Sequence, residues 1–245
     1  MSAAAAPVSD TDRHVSMRRV WLSVAGVLVV LLVMKLGTAV FGMAGAVLGV
    51  VATVGVLWVT RAGHTSWHDL GITKHSLKVG AAWSGGFFAL FAVGFALTAL
   101  ASRAIPMVGE WVAGLQVESV QPSREVYQAL VAIPLGTVLI EEVAFRGALP
   151  ALFGRAGASV RMAVVGSAVL FGLWHIAPSL NAALHSTSPG TPIWVTVLGT
   201  VVFTTASGIG LGWLRHRSGS ILPPMVVHMT TNSLGVALLW FLAAT

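Results

Sequence analysis

The stretch LIEEVAFRG at residues 139–147 decides how the fold is interpreted, because it places two carboxylates and one guanidinium after an apolar run at 127–140. Ionisable side chains are rare inside membrane segments, and there they mark functional positions. Glu142 and Arg146 are four residues apart and share one helix face, so we expect them to form an ion pair. Glu141 points about 100° away around the helix axis and is left for another role.

The composition surrounding this stretch is that of a membrane protein. Of 245 residues, 56% are hydrophobic and 9% are charged, and the mean hydropathy is +0.86. These values predict a polytopic membrane protein rather than a soluble domain. The chain has no cysteine, which excludes disulfides, thiolate metal sites and cysteine nucleophiles. The net charge of +6 comes from basic residues scattered singly between apolar runs, so we predict no nucleic-acid partner.

Apolar runs of span length divide the chain into about seven predicted helices. We therefore predict an all-α bundle, with a disordered cytoplasmic tail at 1–17 and one transmembrane helical domain at 18–245. The three histidines in the polar segment 61–79 are interpreted as interfacial, and Pro178 is expected to stop the fifth helix. The predicted spans cover residues 20–37, 39–60, 80–101, 126–146, 158–177, 192–214 and 221–244.

The distribution of Lys and Arg predicts the orientation of these spans. With Arg146 left out because it lies inside a span, ten basic residues fall on one side of the seven-span topology and three, including Lys35, on the other. Cytoplasmic loops carry the excess of positive charge. The sequence therefore predicts an integral protein of a bacterial plasma membrane, with the N-terminus in the cytoplasm and the C-terminus outside.

The fourth and fifth spans are expected to form an antiparallel hairpin with polar groups at one level. Glu141 is 14 residues before Arg155, and His175 is 14 residues after Arg161. At a rise of 1.5 Å per residue, both lie about 21 Å along their helices from the basic connection. Glu141 and His175 should therefore face each other.

The seventh span adds two polar residues on one face. His228 and Asn232 follow Ser218 by 10 and 14 residues, which corresponds to about 15 and 21 Å of helix. Polar side chains from three helices would be costly if each faced lipid. We therefore expect one water-filled cavity between the fourth, fifth and seventh spans.

Each of these groups also has a purely structural interpretation. Glu142 and Arg146 could form an ion pair that only fixes the helix, and His175 could be a satisfied interior histidine. His228 and Asn232 could serve interhelical hydrogen bonding. Their common level with Glu141 favours a functional site.

A carboxylate and an imidazole, without a serine or cysteine nucleophile between them, suggest activation of water. Glu141 would take a proton from water that His175 also positions, and the hydroxide would attack a peptide carbonyl. His228 and Asn232 would donate hydrogen bonds to the developing oxyanion. In a metal-dependent alternative, Glu141, His175 and His228 would bind Zn²⁺ with one open position. The chain has no His-Glu-x-x-His motif, so metal-free catalysis is favoured.

Three ordered motifs resemble those of the CPBP family of intramembrane proteases, also called the CAAX protease and bacteriocin-processing or Abi family. They are Glu141-Glu142-x-x-x-Arg146, Phe171-x-x-x-His175 and His228-x-x-x-Asn232, and the family-like core covers about 126–245. The resemblance implies an all-helical membrane fold and endopeptidase activity. It implies that Glu141 and His175 activate water and that His228 and Asn232 stabilise the oxyanion. The N-terminal half contains no motif of this kind.

Three functions remain open at this stage. The first is an intramembrane endopeptidase that acts on a membrane-associated peptide or protein. The second is a non-catalytic immunity or scaffolding protein that keeps the fold and uses the pocket for binding. The third is a small carrier, which the lack of an evident internal repeat argues against. Eukaryotic relatives of the family remove the last three residues of prenylated proteins, but that substrate is not transferred to this chain.

Overall fold

The fold is an all-helical membrane bundle, as the composition predicted. The computed structural model describes residues 10–41, 45–114, 126–185 and 191–234, and within these ranges every regular element is helical. The helices are α1 (Asp10–Phe41), α2 (Gly45–Ala62), α3 (Trp67–Leu70), α4 (Lys74–Ala104), α5 (Pro106–Gly114), α6 (Gln128–Arg155), α7 (Val160–Trp174), α8 (Ile176–Leu184), α9 (Ile193–Ser218) and α10 (Leu222–Met229), which continues as a π-helical turn (Thr230–Leu234).

Six helical segments in the described ranges are long and apolar enough to cross a membrane. The second half of the predicted seventh span, 235–244, lies outside the described residues, so the count of seven stays a prediction. The orientation predicted from the basic residues also stays a prediction. The six candidate spans are Met17–Thr38, Gly45–Ala62, Trp67–Ala104, Gln128–Arg155, Val160–Leu184 and Ile193–Ser218.

Two predicted boundaries differ from the structure. Helix α1 begins at Asp10, inside the segment 1–17 that was predicted as disordered, while residues 1–9 lie outside the described ranges. Pro178 does not stop the fifth span, because it lies in the first turn of α8. The backbone N–H groups of a first turn have no partner within their helix, so proline, which lacks this N–H, is tolerated there. The interruption comes three residues earlier, at His175 between α7 and α8.

Helix α6 lies at the centre of the buried core and contributes its residues from 140 to 149 almost without exposure. It contacts α2 very closely, because a Cβ added to Gly49 would lie 2.3 Å from the carbonyl oxygen of Leu135. Part of α6 is π-helical, including the turns Pro134–Val138 and Val143–Ala148 that flank the two glutamates. Such turns are frequent at functional sites. The central helix therefore combines tight packing with local changes of helical pitch around the carboxylates.

Helices α7 and α9 pack side by side, and both contact α6. A Cβ added to Gly172 would lie 2.0 Å from Thr205 Oγ1 and 2.8 Å from the carbonyl oxygen of Val201, so only glycine allows this approach. The Ser167 hydroxyl donates a hydrogen bond of 2.5 Å to the carbonyl oxygen of Phe145 and joins α7 to α6. This packing brings the end of α7 to the level of the glutamates.

Candidate active site

The three charged residues of α6 are enclosed by protein. Glu141, Glu142 and Arg146 are 4%, 0% and 1% exposed. Arg146 Nη1 lies 3.4 Å from Glu142 Oε1, which confirms the ion pair predicted from their spacing. Burying such charges is costly unless they are paired, so their position requires partners from other helices.

His228 of α10 supplies one of these partners. Its Nδ1 lies 2.8 Å from Glu142 Oε1, within hydrogen-bond distance, and its Nε2 lies 3.8 Å from Glu141 Oε2. We assign the Nδ1 proton as the donor to Glu142, because an ionised carboxylate only accepts. Glu142 therefore fixes the imidazole so that its second nitrogen faces Glu141.

Phe171 contacts three charged or polar members of the cluster. Its ring centre lies 4.6 Å from that of His175 and 5.8 Å from that of His228, in edge-to-face arrangements. The Arg146 guanidinium lies 4.0 Å above the same ring, in cation–π contact. The three family-like motifs therefore meet at one phenylalanine.

His175 occupies the junction between α7 and α8 and is partly exposed. Its Nδ1 lies 2.8 Å from the carbonyl oxygen of Phe171. Since a carbonyl only accepts, Nδ1 carries the proton, and Nε2 of the neutral ring is left as an acceptor. The structure thus gives His175 a nitrogen that can accept a hydrogen bond from water.

Two residues that were not among the predicted site residues act on Glu141, one through a hydrogen bond and the other through its charge. The indole Nε1–H of Trp174 donates a hydrogen bond of 2.8 Å to Glu141 Oε1. The ammonium of Lys35, on α1, lies 4.9 Å from the centre of the Trp174 ring and within electrostatic range of Glu141. Lys35 was assigned to the far end of the first span. The one signal in the sequence that could have indicated a role for Lys35 at the site was its position as a lone lysine near the end of an apolar run.

The two oxygens of Glu141 therefore differ. Oε1 accepts the indole proton, whereas Oε2 is buried and has no hydrogen-bond partner among the described residues. A buried carboxylate oxygen without a donor requires an explanation, for which a water molecule or a substrate group is suitable.

Asn232 lies outside this buried cluster, because its side chain is exposed one turn beyond His228.

The arrangement does not form a ready zinc site. His228 directs one ring nitrogen at Glu142 and the other towards Glu141, and His175 uses Nδ1 for the Phe171 carbonyl. Within the described ranges, no three His, Asp or Glu side chains are grouped as ligands of one ion. The metal-dependent alternative with Glu141, His175 and His228 stays a prediction.

The fold and this site define a class: a helical membrane protein with a buried cluster of carboxylates, imidazoles and one guanidinium drawn from separate helices. Residues 123–234 match the family model described as Rce1-like, type II CAAX prenyl endopeptidase. This match agrees with the resemblance to the CPBP or CAAX protease family that the three motifs carry, and it confirms that resemblance for residues 123–234. Comparisons with curated proteins and with solved structures gave no match.

The family supports a CAAX-type intramembrane endopeptidase in general, and an integral membrane location with a membrane-associated substrate. The matched region starts just before α6 and ends in the π-helical turn after α10, so it contains all six candidate site residues. Phe171 contacts three of them, Arg146, His175 and His228. The two glutamates join the cluster through His228, and Glu142 also through Arg146.

Proposed function

We propose that the chain hydrolyses a peptide bond of a membrane-associated protein or peptide, with a water molecule activated by Glu141 and His175 and without a metal ion. The main support is that the two carboxylate oxygens of Glu141 differ in their hydrogen bonding. Trp174 holds Oε1, which leaves the buried Oε2 without a hydrogen-bond partner among the described residues. A fixed carboxylate with one free oxygen is suited to act as a general base.

The water would be held from two sides. Glu141 Oε2 would accept its proton, while the unprotonated Nε2 of His175 would accept its second hydrogen bond. His175 follows Trp174 directly in the chain, and Trp174 already contacts Glu141. The oxygen of the activated water would then attack the peptide carbonyl, and the proton held by Glu141 would pass to the leaving amine.

The negative charge on the carbonyl oxygen requires donors. A charged imidazole has an N–H on each nitrogen, so His228 could keep its bond to Glu142 and direct Nε2–H at the oxyanion. Arg146 would balance the charge of Glu142 throughout. Asn232 is exposed beside this cluster, and its amide could donate once a substrate covers it. These roles match what the motif resemblance implies.

The test compares isosteric variants of two glutamates. Glu141→Gln removes the base but keeps the size of the side chain and its acceptor for Trp174, whereas Glu110→Gln changes an exposed glutamate on α5. We expect cleavage of membrane proteins, measured as new peptide termini in membranes of cells that express each form, to disappear only with Glu141→Gln. Equal termini in the two variants at equal expression would contradict the proposal and favour a non-catalytic scaffold.

A further inference from the structure

We propose that the cavity between α6, α7 and α9, at the end of the bundle where Arg155 and Arg215 lie, binds a phosphate-bearing group. The cavity has a volume of about 390 Å³, which falls in the range of roughly 300–1,000 Å³ typical of small-molecule pockets. Of the residues in the catalytic cluster, its lining includes Arg146 but neither the two glutamates nor the two histidines. Its lining includes Arg146, Arg155, Arg215, His216, Asp69 and Gly154.

The inner end of the cavity is formed by a guanidinium with unused donors. Arg146 is 1% exposed, yet none of its three side-chain nitrogens has a hydrogen-bond partner among the described residues. The 3.4 Å contact with Glu142 is an ion pair and not a hydrogen bond. Native proteins pair nearly all buried polar groups, so these N–H groups indicate an acceptor supplied from elsewhere.

Arg215 supplies a second unsatisfied donor. One of its terminal nitrogens donates a hydrogen bond of 2.8 Å to the carbonyl oxygen of Asp69, which positions the side chain, but its buried Nε has no partner among the described residues. Guanidinium groups recognise phosphate oxygens through parallel N–H bonds. Two arginines with free N–H groups on one cavity therefore favour a tetrahedral oxyanion over a neutral ligand.

The charges around the cavity are not balanced. Three guanidinium groups line it against one carboxylate, that of Asp69, which lies 3.0 Å from a terminal nitrogen of Arg155. After Glu142 is counted against Arg146, one positive charge is left. Arg155 is half exposed, so the cavity is accessible at this end. Basic pockets between membrane helices bind the head groups of anionic lipids, and a free phosphate would satisfy the same donors.

The experiment uses the full-length protein in neutral detergent and isothermal titration with three probes. Dihexanoyl phosphatidic acid presents a lipid-borne phosphate, inorganic phosphate presents the free ion, and dihexanoylglycerol lacks the phosphate. We expect wild-type protein to bind phosphatidic acid and not dihexanoylglycerol. Binding of inorganic phosphate to the same site would identify the free ion as a second source of the ligand, and failure of inorganic phosphate to compete would identify the lipid.

Two variants and two controls locate the binding. Arg215→Gln removes a donor and should weaken phosphatidic acid binding about tenfold or more, in line with a hydrogen bond between charged groups. Its control, Arg161→Gln, changes an exposed arginine outside the lining and should not weaken binding. Gly154 lines the cavity, and a Cβ there meets nothing within 4 Å, so we expect Gly154→Phe to be tolerated and to obstruct the cavity. Gly210 is equally open but lies outside the lining, so Gly210→Phe is the matched control.

The melting temperature of each variant is measured alongside, since Arg215 also holds the Asp69 carbonyl. If Arg215→Gln does not fold, Gly154→Phe decides the outcome by itself. The proposal is overturned if neither phosphate probe binds the wild type, or if both bind Gly154→Phe as tightly as they bind Gly210→Phe. The readout is binding alone, so it is independent of proteolysis.

Discussion

Glu142 should contribute both to stability and to catalysis, and a double-mutant cycle with Arg146 can separate the two. Glu142→Gln leaves a guanidinium that is 1% exposed without its carboxylate. Removing one partner of a buried ion pair costs about 3–5 kcal/mol, a large part of the roughly 5–15 kcal/mol that stabilises a typical domain. Since Glu142 also accepts the His228 hydrogen bond, part of the loss comes from that contact.

The double variant Glu142→Gln with Arg146→Met removes both charges. We expect it to be more stable than Glu142→Gln alone by about 2 kcal/mol, because no buried charge is then left unpaired. Its proteolytic activity should stay low, because a neutral amide in place of the Glu142 carboxylate no longer fixes His228. Recovery of stability without recovery of activity would therefore assign two separate roles to Glu142.

The assay is equilibrium unfolding by dodecyl sulfate in mixed micelles, followed by the fluorescence of the nine tryptophans. Asp69→Asn with Arg155→Gln serves as the matched control, because this pair lies at 3.0 Å but is partly exposed, and such pairs contribute about 0–1 kcal/mol. A loss below 1 kcal/mol for Glu142→Gln, or a double variant no more stable than the single one, would refute the reasoning.

Three further predictions concern the site. Trp174→Phe removes the indole donor to Glu141 Oε1 and should lower kcat about tenfold with little change in KM. The control Trp58→Phe changes a side chain that is 75% exposed on α2 and should leave kcat unchanged. Equal effects of the two variants would contradict a positioning role for Trp174. His228→Ala and Asn232→Ala should each lower kcat about 100-fold or more while substrate binding is kept, as for lost oxyanion donors, and an equal loss of binding would argue against that role. Strong chelation of the purified protein should leave activity unchanged with no zinc detected by elemental analysis, and inactivation reversed by added zinc would restore the metal-dependent mechanism.

Much of the architecture followed from local properties of the sequence. An apolar run of about 20 residues must satisfy its own backbone hydrogen bonds in lipid, so the helical bundle was predictable from composition and run length. The fourth, fifth and sixth predicted spans begin within a few residues of α6, α7 and α9. The sixth also ends close to the end of α9, whereas the helices continue beyond the predicted ends of the fourth span, past Arg146, and of the fifth span, past Pro178. The Glu142–Arg146 pair followed from helical periodicity alone.

The sequence by itself indicated the apolar helices, the unusual polar groups that they carry, and the family that residues 123–234 resemble. Tertiary structure decided that Trp174 donates to Glu141 and that Lys35 lies over the Trp174 ring. It also decided that Phe171 contacts both histidines and Arg146, and that Arg146 lines a basic cavity as well. The physical reason is that residue spacing sets height and angle within one helix. The rotation and approach of separate helices depend on packing at positions such as Gly49 and Gly172, which local spacing does not set.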